Sequence, residues 1–244
     1  MLRSSCKQLL STWKAMIGAG LLLATPYAQA LQEFNFKVLL DDREIGFHRF
    51  QVTRQDDRQT VDIEADFKVT FFAIPFYRYG HSNQEVWQSG CLESIQSTTN
   101  DNGDSFSVDG RRDQAGFSIS TQSDAFNLNG SCVMTFAYWN MEMLEQSALL
   151  NAQTGEYLPV EIEFSGEEVL KFDDQSVSAS RYRLRNSDQE LDISIWYETG
   201  TGRWLSLESR VADDRIIRYL PVSEQTVAAT DSFPVSERAL NAVR

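Results

Sequence analysis

The sequence predicts an all-β fold, mainly antiparallel, built as a curved sheet or partly open β-barrel with one short helix and a signal peptide in front. Apolar and polar residues alternate with period two along most of the chain, turn residues recur at short spacing, and no strand–helix–strand pattern interrupts them. A period of two sends successive side chains to opposite faces, so each such segment is a strand with one wetted and one buried side.

Residues 1–30 read as a secretory signal. Arg3, Lys7 and Lys14 give the basic start, Ala15 to Ala24 the apolar core, and Ala28-Gln-Ala30 the small residues that a signal peptidase requires. The apolar run is about half the ~20 residues of a spanning helix, which argues for cleavage after Ala30 rather than an anchor. Residues 31–221 form one antiparallel β domain, and 222–244 a polar, loosely ordered tail.

Within that domain Phe34, Phe36, Val38 and Leu40 share one face, and Asp41-Asp-Arg43 turns the chain. Apolar parity then switches from Ile45 and Phe47 to Phe50 and Val52, which predicts a β-bulge near His48 and Arg49. The clearest strand carries Val61, Ile63, Ala65, Phe67, Val69 and Phe71, and its length suits a barrel wall. Further strands are expected at Tyr77–Trp87, Cys91–Thr99, Ser105–Arg111 and Gly116–Thr121, with turns at Asn100–Gly103 and from Gly110 to Ala115. Phe136, Trp139, Met143, Leu144 and Ala148 approximate helical spacing and predict the one short helix or helical turn. Alternation resumes at Val160–Phe164, Tyr182 and Leu184, Leu191–Tyr197, Trp204–Val211 and Ile216–Leu220.

The chain carries 22 basic and 35 acidic side chains. Loss of Arg3, Lys7 and Lys14 with the signal leaves 19 basic against 35 acidic groups, a net charge of −16. Such a surface repels phosphate backbones and anionic lipid headgroups, which excludes nucleic acid as a partner. Cleavage also leaves no integral membrane segment. Cys6 departs with the signal, and Cys91 and Cys132 remain in a chain bound for an oxidising compartment, so they are expected to pair. Closing about 42 residues would stabilise the fold by roughly 4 kcal/mol.

No sequence motif fixes a reaction. His48 and His81 are the only histidines and stand in no HxH, HxxxH or HxxE grouping, so no metal centre is expected. There is no GxSxG, Walker sequence or dinucleotide-binding glycine cluster, and no catalytic residue or cofactor is proposed. The most unusual segment is Phe71-Phe-Ala-Ile-Pro-Phe-Tyr-Arg-Tyr79, where alternation fails and both faces are apolar. It is either doubly buried or set at a rim covered by an apolar ligand or partner. With the apolar group around Tyr138 to Met143, it makes Phe72, Ile74, Phe76, Tyr77, Trp139 and Met143 the candidate ligand residues; the competing reading is that these side chains plug the barrel end as ordinary core.

At Ile45–Phe50 and at Leu191–Trp204, with its Ile-Trp-Tyr and Gly-Arg-Trp-Leu groups, the chain resembles an uncharacterised group of secreted proteobacterial proteins classed as domains of unknown function. Cys91, Ser131-Cys132 and Tyr138-Trp-Asn140 fit the same resemblance. It implies a periplasmic β-rich fold and supplies no activity or cofactor. The expectation is therefore a periplasmic, non-enzymatic binding or accessory module for an apolar or lipid-like ligand, or for an envelope protein. The alternatives are an envelope hydrolase using His48 or His81 as base, and a structural envelope component.

Overall fold

The computed structural model describes residues 30–71, 74–130, 132–172, 175–186 and 191–222; the predicted signal up to residue 29 and the tail from 223 lie outside them. Among the described residues fifteen strands follow in order: β1 (Ala30–Leu40), β2 (Arg43–Gln55), β3 (Arg58–Phe71), β4 (Ile74–Gln88), β5 (Cys91–Asp101), β6 (Asp104–Asp113), β7 (Gly116–Thr121), β8 (Ala125–Leu128), β9 (Ala148–Leu150), β10 (Tyr157–Pro159), β11 (Glu161–Phe172), β12 (Gln175–Asn186), β13 (Leu191–Glu198), β14 (Trp204–Arg210) and β15 (Ile216–Pro221).

Thirteen of them form one curved, wholly antiparallel sheet in the order β11-β12-β13-β14-β15-β1-β2-β3-β4-β5-β6-β7-β8. Every neighbour is a hairpin partner except β15 and β1, whose pairing from Phe36↔Pro221 to Leu40↔Ile217 joins the two halves of the chain. The free edges are β8 and β11, so the barrel stays open. Hairpin chemistry follows the sequence: Asn102 (φ +53°) and Gly103 (φ +105°) take the two left-handed positions that a tight two-residue turn requires.

The concave side is filled from one end by residues 132–160, an internal strap. Val133, Met134, Ala137, Trp139, Met143, Leu149 and Leu150 are buried in one core with Phe34, Phe36, Trp87, Leu92, Ile95, Tyr197 and Trp204 of the sheet. The strap spends its backbone groups on the wall and on itself: Leu92 N–H donates to Val133 O (3.0 Å), Leu150 N–H to Met134 O (2.8 Å), and Tyr197 Oη to Tyr138 O (2.9 Å). The Cys91–Cys132 disulfide, with Cα atoms 5.0 Å apart, ties its start to the head of β5.

One sequence expectation is met in its smaller form, a helical turn, and two others change. The helical spacing after Cys132 resolves into a single 3-10 turn, Met141–Glu145, followed by the β9–β10 hairpin. Its apolar positions repeat because they fill a concave wall, and Asn140 caps the turn through Oδ1 to the Glu142 N–H (3.0 Å). The bulge in β2 falls at Ile45 and not near His48, since Val38 pairs with Gly46 and Leu39 with Glu44. Phe47 therefore faces outward, under the Arg49 guanidinium at 4.3 Å. The turn expected from Gly110 begins only at Asp113, because Gly110 belongs to β6, where an added Cβ would lie 2.6 Å from Phe117 and 2.7 Å from Ile95.

Candidate functional site

Register sorts the concave face into rows running across the strands. From the closed base upward they read Val52–Val61–Glu85–Ile95, then Phe50–Ile63–Asn83–Ser97, then Phe36–His48–Ala65–His81–Thr99–Phe106, then Gly46–Phe67–Tyr79–Asp101, and last Val69–Tyr77. Exposure rises along them. On β4 the inward residues Trp87, Glu85, Asn83 and His81 are 0, 1, 3 and 9 % exposed. Tyr79 and Tyr77 beyond them are half-buried, as are Phe67, Val69 and Phe106 on the flanking strands. The strap thus closes the base and sends Gln153 up to Tyr79 and Asp101, and the half-buried aromatic side chains at the other end form the wall of a cup.

The polar side chains of the rows under this cup bond one another and the elements beside them, with Asn83 Oδ1 and His48 Nε2 left without a partner. Glu85 accepts hydrogen bonds from Asn83 Nδ2 and Trp87 Nε1, both 2.9 Å, and burial raises its pKa while these bonds and one with Thr135 of the strap oppose the rise. Above it, His81 Nδ1 lies 2.8 Å from Thr99 Oγ1, and His48 Nδ1 lies 3.0 Å from Tyr219 Oη. Between the two histidines in the row stands Ala65, the smallest side chain on this stretch of wall. Desolvation lowers His48 to about 3, aided by the facing His81, and lowers His81 to about 4. Both imidazoles are neutral at physiological pH. The mouth carries Phe67 stacked on Tyr79 at 5.1 Å, while Tyr79 Oη donates to Gln153 Oε1 at 3.3 Å. Burial raises Tyr79 and Tyr138 above their ordinary range, so both phenols keep their protons.

The structure separates the residues that the sequence grouped. Trp139 and Met143 belong to the base, with Trp139 set edge-on against Trp87 at 5.4 Å. Tyr77 and Phe76 stand at the opposite end of β4, roughly 36 Å away along the strand. Tyr77 points into the mouth, whereas Phe76 occupies a bulge and is 78 % exposed at the rim. Ile74 opens β4, and Phe72 lies outside the described residues. Beyond Phe67 and Tyr79 the described ladders pair β3 and β4 only with each other, so their hairpin projects over the cup.

Both histidines are held at Nδ1 and desolvated. Each Nδ1 is taken, desolvation leaves a weak base at neutral pH, and the hydroxyl facing His81 belongs to the buried Thr99. Among the described residues no group of three or more His, Cys, Asp or Glu side chains is gathered as a metal would need. A hollow of about 1320 Å³ lies on the outer face of β2 to β6, and it is an open trough. Its polar side chains bond one another, Gln84 to Asp62 at 2.8 Å and Gln96 to Asp109 at 3.0 Å.

An open curved antiparallel sheet with an internal strap defines a β-barrel-like protein. The chain belongs to the family described as domain of unknown function DUF6134, whose model matches residues 36–222. Its fold is similar to the crystal structure of a β-barrel-like protein of domain of unknown function DUF1849 from Brucella abortus, with a TM-score of 0.57 and 10 % identity over 79 % of this chain and 96 % of that one. No curated protein matches the chain.

Proposed function

We propose that this is an exported, periplasmic binding module of proteobacterial origin that holds an apolar or lipid-like ligand in the cup. One observation carries the reading: exposure climbs from Trp87 at the base of β4 to half-buried Tyr79 and Tyr77 at its mouth, so the aromatic and aliphatic side chains there keep part of their surface open. Inward apolar surface left partly wet is favourable only when something else covers it. The projecting β3–β4 hairpin, with Phe76 at its rim, supplies apolar surface where a ligand would enter. Trp139 and Met143 act from below, as packing that holds the base rigid.

The buried disulfide-linked strap suits an oxidising compartment, and the acidic balance suits a protein that does not dock on anionic membranes. Native mass spectrometry and solvent extraction of protein purified from the periplasm test the reading. Co-purifying lipid or another apolar molecule, lost when Phe67 and Tyr79 are replaced by Asp, is the expected result. A ligand-free protein that also fails to take up alkyl probes would overturn it.

A further inference from the structure

We infer that the ligand ends in an uncharged hydroxyl group, which hydrogen-bonds His48 Nε2 beside the Ala65 methyl. This rests on the reading of the cup as a site for an apolar molecule. In the row His48–Ala65–His81 the two imidazoles flank a side chain of one carbon, with backbones roughly 10 Å apart across two strand spacings. The Ala65 methyl is covered, 2 % exposed, between the two rings, and Phe67 and Tyr79 stand over it in the next row toward the mouth.

His48 has one nitrogen too few partners. Its ring is fixed by stacking on Phe50 at 4.3 Å and by the Tyr219 bond at Nδ1, on the β15 side. Nε2 then points away from β15 and into the protein, shut off from solvent and without a hydrogen-bond partner. A buried polar nitrogen left unpaired is unfavourable, and a ligand that reaches it removes the deficit.

The chemistry of the partner follows from what Nε2 can be. If Tyr219 donates to Nδ1, Nε2 carries the proton and needs an acceptor; if Nδ1 donates, Nε2 is the acceptor. A hydroxyl serves either tautomer, whereas a carbonyl serves one. A charged head finds no good counter-charge. The described side chains in the row and its two neighbours are Phe36, Phe50, Ile63, Asn83, Thr99, Phe106 and their aromatic companions, with no Lys or Arg to meet an anion. A cation would find only Asp101, which is already engaged by Gln153 Nε2 at 3.5 Å and by Tyr77. An unpaired charge in a desolvated cup is costly.

The test compares three probes of equal chain length, 1-decanol, decanoate and decylammonium, titrated calorimetrically into the mature protein at neutral pH. Equal chains hold the apolar contribution constant, so the ranking reads the head group alone. Decanol is expected to bind about tenfold more tightly than either ion, and His48→Leu to weaken decanol about tenfold while leaving the ions unchanged. If decanoate or decylammonium matches decanol, the cup stands as a site and the hydroxyl inference falls. If His48→Leu folds and binds decanol as the parent does, the inference falls as well. If no probe binds, the reading of the cup fails with it. The ranking on the unaltered protein decides the matter even where the variant does not fold.

Discussion

His48 and Tyr219 are 171 residues apart in the chain, yet Nδ1 of the first lies 3.0 Å from the phenol oxygen of the second. The bond reaches from β2 over β1 to β15, so it clamps the seam where the N-terminal and C-terminal halves of the sheet meet. Tyr219→Phe keeps the ring and its packing against Phe36 and Trp204 but leaves His48 with both nitrogens unpaired. The expected cost is about 1–3 kcal/mol, seen as a lower urea midpoint at unchanged m-value. An unaltered midpoint would show that the seam does not depend on this clamp.

The two neutral histidines make stability depend on pH. Their folded pKa values, about 3 for His48 and about 4 for His81, lie below the ordinary 6.5, so between those limits the unfolded chain binds the extra protons. Stability from these groups is fully present above pH 6.5 and falls as the solution is acidified, by about 2 kcal/mol for each histidine between pH 7 and pH 5. Glu85 works in the opposite sense, since its pKa is raised and acidification relieves its burial. Urea midpoints at both pH values, measured on the parent and on His81→Gln, separate the effects because Glu85 is common to both. The variant should lose about 2 kcal/mol less than the parent over that interval, and equal losses would refute the desolvated state of His81.

Most strands were legible in the sequence because their inward residues are apolar. The strand at Val61–Phe71 and those at Leu191–Tyr197 and Trp204–Val211 reappear with nearly the expected bounds. The cup was not legible, for the inverse reason. On β4 the inward set is Tyr77, Tyr79, His81, Asn83, Glu85 and Trp87, mostly polar, and a pattern scored by apolarity does not show which face they share. Only register across β3 and β5 puts His81 in line with Ala65, His48 and Thr99. The strap misled for a different reason: Trp139 and Met143 looked like half of a binding mouth because spacing shows that residues share a side but not which end of the barrel they fill. β8, four residues long, carries too little alternation to be seen.

The disulfide should matter more to the strap than to the wall. Cys91 heads β5, which remains paired on both sides without it, whereas Cys132 starts a segment whose first contact with the wall is the Leu92–Val133 bond. Replacing both cysteines by serine is expected to lower stability by about 2–4 kcal/mol. It should also loosen the base first, exposing Trp139 and Trp87, so tryptophan emission shifts to the red at urea concentrations below the main transition. A single transition with unshifted emission below it would mean that the strap holds without the bridge.

Two glycines give a paired test of how closely the wall is built. Gly46 follows the Ile45 bulge with φ +155°, and a Cβ placed there would lie 1.9 Å from the carbonyl oxygen of Asp66 on β3. Since backbone cannot retreat as a side-chain tip can, any substitution must push β2 from β3 next to Phe67, in the row that roofs His48. Gly80, one strand further, has nothing within 4 Å of an added Cβ. Gly46→Ala should therefore cost about 3 kcal/mol or more and weaken binding of an alkyl alcohol, because the displaced strand carries His48. Gly80→Ala should stay within about 0.5 kcal/mol of the parent. Thermal unfolding of the two variants side by side checks both, and comparable losses would mean that the close approach of β2 to β3 is not what fixes the cup.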